Sequence, residues 1–230
     1  MDEMTYQPLS LEHLDGLVDV HYRITTGNNL LPLMGRSAVR AFYRWWAGNP
    51  KVVAVVACCG ETVVGHALGP LSPANYRQEL NRAIWKDLMI GAIRVSFVHP
   101  IRLARLVTAR KAMLRSMMRS VLRLHPGPVP PSLEAEVAYS TLLSIGVDPS
   151  FQGKSVARDL LAKFVAEMGR RGAKELRLTV RATNTRAIAF YNQTGWTFFD
   201  EANGGLRFRR VIGDAGDSNA LNRTETGICN

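Results

Sequence analysis

Hydrophobic positions along the chain change period several times, and each change marks an element. A short first strand is expected at residues 4–8. "SLEHLDGLVDVHYRIT" then opens with Ser10 as a cap and places Leu11, Leu14, Leu17 and Val18 at helical spacing. "GRSAVRAFYRWWAGNP" reads as a second helix, closed by Gly48 and Pro50. "KVVAVVACC" and "TVVGHALGPL", joined at Gly60-Glu61, read as a hairpin of β-branched strands. "EAEVAYSTLLSIGV" is a long strand candidate, apolar on both faces in part. The turn "DPSFQGKS", a helix over about 155–170 and the strand "KELRLTV" follow it. A short helix in "NTRAIAFYNQTG" and a last hairpin, "WTFFD" with "LRFRRVI", complete the series.

The order β-α-α-β-β-(insertion)-β-α-β-α-β-β predicts an α/β (α+β) fold: one mixed sheet with helices on its faces, centred on a β-α-β unit at 133–181. We expect a single domain over 1–212 interrupted by an insertion at 72–131. From Gly213 apolar residues become scarce, and a disordered tail over 213–230 is expected. No basic-then-apolar leader and no run of about 18 uncharged apolar residues occurs, so neither a secretory signal nor a spanning helix is expected.

Charge separates the insertion from the rest. The net charge is +10, and residues 72–131 hold 11 Lys or Arg against Glu79 and Asp87, which is +9. From Ile101 to Leu124 the apolar residues Leu103, Leu106, Val107, Met113, Leu114, Met117, Met118, Val121 and Leu124 share one arc of about 140° at about 100° per residue. Lys111, Arg115, Arg119 and Arg123 fall opposite, while Arg110 lies inside the apolar arc. "NRAIWKDLMIGAIRVSFVHP" upstream is read as a further helical piece. Such a stripe serves a core or dimer face, or a helix lying on an anionic membrane surface. Nucleic acid is disfavoured, because the basic face lacks interleaved aromatics. Cys58, Cys59 and Cys229 show no metal-ligand spacing and are read as reduced thiols of a cytoplasmic protein. No metal is expected.

The turn "QGKSVAR" carries the chemistry. The first amides of a helix lack internal partners and sit at the positive end of its dipole, so a strand-loop-helix passage can bind an anion with backbone alone. Gly153 permits the turn, Lys154 and Arg158 add charge, and Ser155 and Ala157 are small enough for close approach. Taken alone, this is equally the start of a Ser-capped helix. Ser155 costs little there if its dihedrals are right-handed helical.

Together, "VDP", "QGKSVA" and "NTRAIAFYNQTGW" resemble the GCN5-related N-acetyltransferase (GNAT) family over Leu142–Phe199. Its pattern is V-x-P, Q/R-x-x-G-x-G/A, then N-x-x-A-x-x-x-Y-x-x-x-G-aromatic. The resemblance implies a partly splayed sheet with acetyl-CoA in the opening as co-substrate. The pantetheine arm would lie along Ile145, Gly146 and Val147, and the diphosphate on Gly153, Lys154, Ser155, Val156, Ala157 and Arg158. Gln152 would stand at the loop's entry, Asn184 would bond the pantetheine arm, and Tyr191 would lie near the sulfur. Ser155 replaces the pattern's central glycine, from which weakened or slightly shifted binding is expected.

The implied reaction is direct attack of a neutral amine on the thioester. Tyr191 would protonate the leaving thiolate, the Ile145 amide would support the oxyanion and Glu136 would be the base. On spacing alone, Tyr191 equally fits a ring packed beside Phe190. Family members that acetylate ribosomal-protein alanine termini carry a Glu where this chain has Thr179. The expected function is N-acetyl transfer to a primary amine of a small molecule, such as a nucleotide-linked or membrane-associated amino sugar. Alternatives are a protein or peptide N-terminal acetyltransferase and a non-catalytic acyl-CoA-binding module at a membrane surface. Partners through 72–131 would be an anionic membrane, which makes the protein peripheral, or a second copy.

Overall fold

A computed structural model describes residues 3–25, 30–98, 139–202 and 204–213. Its strands are β1 (Met4–Pro8), β2 (Val52–Cys59), β3 (Thr62–Pro70), β4 (Ser140–Thr141), β5 (Ser144–Val147), β6 (Glu175–Arg181), β7 (Thr197–Ala202) and β8 (Gly205–Val211). Its helices are α1 (Leu14–Ile24), α2 (Leu30–Leu33), α3 (Arg36–Trp46), α4 (Tyr76–Val98), α5 (Val156–Arg170) and α6 (Thr185–Gln193), with 3-10 turns at Leu11–His13 and Pro149–Phe151. Helix α2 was not anticipated, its four residues being too few to show a period. Residues 99–131, which hold the stripe from Ile101 to Leu124, lie outside the described residues, as do Glu134, Glu136 and 214–230.

Two four-stranded sheets form, in the orders β1-β2-β3-β5 and β4-β6-β8-β7. Strand β2 explains why the sequence is apolar on both faces. Val53, Val55, Ala57 and Cys59 enter one core with Leu160, Leu161, Phe164, Val165 and Met168 of α5. Val52, Val56 and Cys58 enter a second core with Leu14, Leu17 and Val18 of α1 and Val39, Tyr43 and Trp46 of α3. The first sheet is thus the middle of three layers, and each face removes water from a row of branched side chains. Cys58 is a buried free thiol, as read. Cys59 is disulfide-bonded, which corrects the expectation of three reduced thiols. The alternation of β2 turns the two side chains to opposite faces, so their environments differ.

The anticipated long strand divides into β4 and β5. Leu142 N–H donates to Arg177 O of β6, whereas the next amide, Leu143 N–H, donates to Leu68 O of β3, both at 2.9 Å. Two consecutive donors thus serve opposite neighbours. Before this point the chain pairs in parallel with β6, and after it antiparallel with β3. Gly69 makes the crossing possible, since a Cβ there would stand 1.8 Å from Thr141 O. Beyond β5, Asp148 accepts from Ser150 N–H at 2.9 Å and from Arg23 Nε, which ties the end of the strand to α1.

Candidate active site

The divergence of β5 from β6 opens a cleft of about 850 Å³. One wall is Ser144–Val147 and the other is Leu178–Arg181; Asn184, Arg186, Ala187, Phe190 and Tyr191 of the α6 region close one side, and Ile24 also lines it. In an antiparallel ladder, bonded and unbonded pairs alternate. The bond from Asp148 N–H to Val64 O (2.8 Å) fixes the phase here. Gly146 opposite His66 and Ser144 opposite Leu68 fall on bonded positions, and Ile145 and Val147 on the others. The main-chain groups of Ile145 and Val147 therefore point away from β3, toward the gap. An extended ligand could add there as a strand.

Of the residues expected to hold a cofactor, Ile145, Gly146, Val147, Gln152, Ala157 and Asn184 line this cleft. Gly153, Lys154, Ser155 and Arg158 are exposed beside it, and the Val156 side chain is in the core at 2% exposure. The amides of the loop are not equivalent. Val156 N–H donates to Lys154 O (2.6 Å) and Arg158 N–H to Ser155 O (2.7 Å). For those of Gly153, Lys154, Ser155 and Ala157 no acceptor is found among the described residues. Four of the six loop amides, rather than all six, are thus left without an acceptor among the described residues.

Ser155 departs from the condition set for it. Its φ of 56° and ψ of −18° are left-handed, and Gly153 precedes it at φ 85°. The hydroxyl makes no cap bond to the helix and instead donates to Asp159 Oδ2 at 2.8 Å. A glycine would meet no steric cost in this conformation, and the serine accepts it. Asp159 also receives the Tyr6 hydroxyl at 3.2 Å. Its charge opposes an anion at the helix start, and Lys154 and Arg158 offset it.

Asn184 caps α6, its Oδ1 accepting from Ala187 N–H at 3.2 Å, which leaves its amide NH₂ as a donor. Arg186 Nη1 donates to Gln152 Oε1 at 2.8 Å, joining the start of α6 to the loop before α5. Sequence reading missed Arg186. The available signal was a basic residue in the first turn of a helix whose cap was already singled out.

Tyr191 is buried at the end of α6. Its ring packs on Phe190, Trp196 and Phe208 at centroid distances of 5.4, 5.9 and 6.2 Å, yet it also lines the cleft. Burial pushes its hydroxyl up to about 12, so the group stays protonated and can donate. Thr179 lines the cleft too, and no carboxylate does so among the described residues. Behind Ser144, His66 is 1% exposed, with Nε2 3.1 Å from Ser144 Oγ and Nδ1 unpartnered. Burial first, and the neighbouring His21 second, push His66 down to about 3, which keeps it neutral. Among the described residues no group of three or more His, Cys, Asp or Glu could hold a metal.

A family model described as "Acetyltransferase (GNAT) family" matches residues 120–196. Among curated proteins, the chain is similar to the [Ribosomal protein bS18]-alanine N-acetyltransferase of Escherichia coli K12, at 43% identity over 63 residues, and to that of Salmonella typhimurium, at 44% over 63. These matches take in 27% of this chain and only 40% of the relatives' length. In three dimensions it is similar to the PaiA N-acetyltransferase of Thermoplasma acidophilum in complex with coenzyme A, with a TM-score of 0.55 and 14% identity over 91% of this chain and 99% of that one. It is likewise similar to the ribosomal-protein-S18-alanine N-acetyltransferase of Escherichia coli, with a TM-score of 0.52 and 15% identity over 94% and 97%. Residues 120–196 thus match the GNAT family model, and the fold over most of the chain is similar to that of N-acetyltransferases.

Proposed function

We propose that the chain transfers the acetyl group of acetyl-CoA to a primary amine of a small molecule. The observation that carries this is the cleft itself. Backbone groups of Ile145 and Val147 face it, four loop amides without acceptors among the described residues lie beside it, and a protonated tyrosine stands in its lining. Its size suits a cofactor arm together with a small acceptor. Acetyl-CoA supplies an acyl group with a thiol leaving group. The Gly153, Lys154, Ser155 and Ala157 amides would hold its diphosphate, with Arg186 and Gln152 at the entry. The NH₂ of Asn184 and the Ile145–Val147 backbone would align the pantetheine arm.

In the transfer, the amine nitrogen bonds to the acetyl carbon and the carbon–sulfur bond breaks. The Ile145 N–H would stabilise the developing oxyanion, and Tyr191 would pass its proton to the departing sulfur. The ammonium must first lose a proton. Glu136 remains our candidate for that step, and bulk water is the other route, since Thr179 offers no base. Arg181 with no carboxylate in the described lining favours an acceptor that carries negative charge, such as a nucleotide-linked or membrane-held amino sugar.

A second reading, transfer to a protein N-terminus, is favoured by the alanine N-acetyltransferases that match locally. Thr179 speaks against it. The test is a Tyr191→Phe comparison with free-thiol release as readout, across anionic amino sugars, neutral amines and alanine-ended peptides. The variant should bind coenzyme A as the wild type does and lose about 10²-fold or more in turnover. Full turnover in the variant removes Tyr191 from the reaction. A wild type that releases no thiol with any amine would favour a non-catalytic acyl-CoA-binding module.

A further inference from the structure

Helix α4 has two faces of different kinds. Tyr76, Leu80 and Ile84 are buried, and Leu88 and Ala92 pack beside Met34 and Ala38. Gly91 lies so close to α2 that a Cβ there would stand 2.3 Å from Met34 O. This side fixes the helix on the body. The other side exposes Trp85 (38%), Met89 (49%), Ile90 (64%) and Ile93 (57%), with exposed Arg82, Lys86 and Arg94 among them. At about 100° per residue these seven side chains occupy one half of the helix circumference. Among the described residues of α4, the acid directed to that half is Glu79, which accepts from Lys51 Nζ at 2.7 Å, and Asp87 is half-buried at its edge.

We propose that this face of α4 docks on an anionic lipid surface. Such a site depends neither on the cleft nor on acetyl transfer. Charge selects the occupant. Residues 99–138, the stretch of chain that could fold back over the face, hold seven Lys or Arg (102, 105, 110, 111, 115, 119 and 123) against Glu134 and Glu136. That stretch would bring positive charge onto Arg82, Lys86 and Arg94. A second copy presenting the same face would do likewise. An anionic bilayer instead accepts the apolar side chains below its headgroups and pairs the cations with them. Nucleic acid fits less well, because three of the four large apolar side chains are aliphatic and offer no stacking surface. Among the described residues no helix is long and apolar enough to cross a membrane, so the contact is one of a helix lying in the interface plane.

The experiment is sedimentation of the full chain with vesicles of phosphatidylglycerol and phosphatidylcholine, against vesicles of phosphatidylcholine alone. It compares wild type with Ile90→Asp/Ile93→Asp, both positions being exposed enough to leave folding intact. The wild type should bind the anionic vesicles, weaken as salt rises, and show Trp85 quenching by brominated acyl chains that is lost in Trp85→Phe. The double variant should bind at least about tenfold more weakly. Equal binding to both vesicle types, or equal binding by the double variant, overturns the proposal; the latter would assign any membrane affinity to another segment. A wild-type dimer that the double variant disrupts also overturns it, as does tighter binding to DNA than to anionic vesicles.

Discussion

Replacing Ser155 tests how the loop before α5 is built, because the competing contributions can each be sized. A non-glycine residue in the left-handed region costs about 1–2 kcal/mol, and Ser155 sits there at φ 56°. Ser155→Gly relieves that strain. It also removes the hydroxyl's bond to Asp159, which is solvent-exposed and so contributes about 0.5–1 kcal/mol. A glycine further widens the unfolded ensemble, at a cost of about 0.4–1 kcal/mol. No cap bond is lost, since the serine side chain makes none to the helix. Relief and losses nearly cancel, and the glycine variant should lie within about 1 kcal/mol of wild type.

Two companion variants separate the contributions. Ser155→Ala keeps the left-handed strain and loses the hydroxyl bond, so it should be destabilised by about 0.5–1 kcal/mol. Ser155→Val adds a β-branched side chain where it fits worst and should lose about 1–2 kcal/mol more. Urea midpoints at unchanged m-value would rank glycine with serine, then alanine, then valine. A glycine variant less stable than the alanine variant would show that the backbone is not left-handed here. Coenzyme A binding by the glycine variant should stay near wild type, because main-chain amides are the proposed contact.

Gly69→Ala should cost about 3 kcal/mol or more, because its Cβ meets the Thr141 carbonyl rather than a movable side chain. Gly146→Ala should cost about 1 kcal/mol, its nearest neighbour being the Ile24 Cδ1 terminus, and thermal melts of the two would show the contrast. His66, neutral when folded, makes stability rise with pH: it is fully present above about 6.5 and lost as pH falls toward about 3, because the unfolded chain takes up a proton that the folded chain refuses. His66→Gln should flatten that acid limb by about 1.4 kcal/mol per pH unit, read from urea midpoints across the range. For the proposed transfer, kcat/KM should climb with pH along the acceptor amine's own titration and shift from amine to amine; a common limb for all amines would assign the base to the protein.

How far the sequence spoke depended on whether the deciding interaction was local. Strands β2 and β3 were legible because both faces are buried, which forces a run of branched residues with no polar alternation. Helices α5 and α6 were legible from their periods and from Gly153 and Asn184 at their starts. The break between β4 and β5 was not, since Leu142 and Leu143 carry no turn signal. It follows from where Leu68 and Arg177 present their carbonyls, residues far away in sequence. For the same reason the Arg186–Gln152 bond, 34 residues apart, and the His66–Ser144 contact, 78 apart, could not be read from spacing. The left-handed Ser155 defeats sequence reading differently, because a serine is compatible with either hand and only the path from β5 into α5 selects one.

These placements determine where protons can move. Tyr191 is held protonated by burial, so its hydroxyl keeps a proton to donate and is no base at neutral pH. His66 is held neutral, and its Nε2 meets the cleft only through the Ser144 hydroxyl. Arg181 and Arg186 also line the cleft. The described lining therefore supplies donors and positive charge, which suits a departing thiolate and a developing oxyanion, and it supplies no base. That asymmetry suits the proposed direct transfer, in which the larger task would be to stabilise negative charge, provided the amine arrives neutral. In such a transfer Thr179 would not have to act as a base. With an acceptor drawn from the neutral fraction in solution, the proposed transfer would need no base from the wall opposite β5.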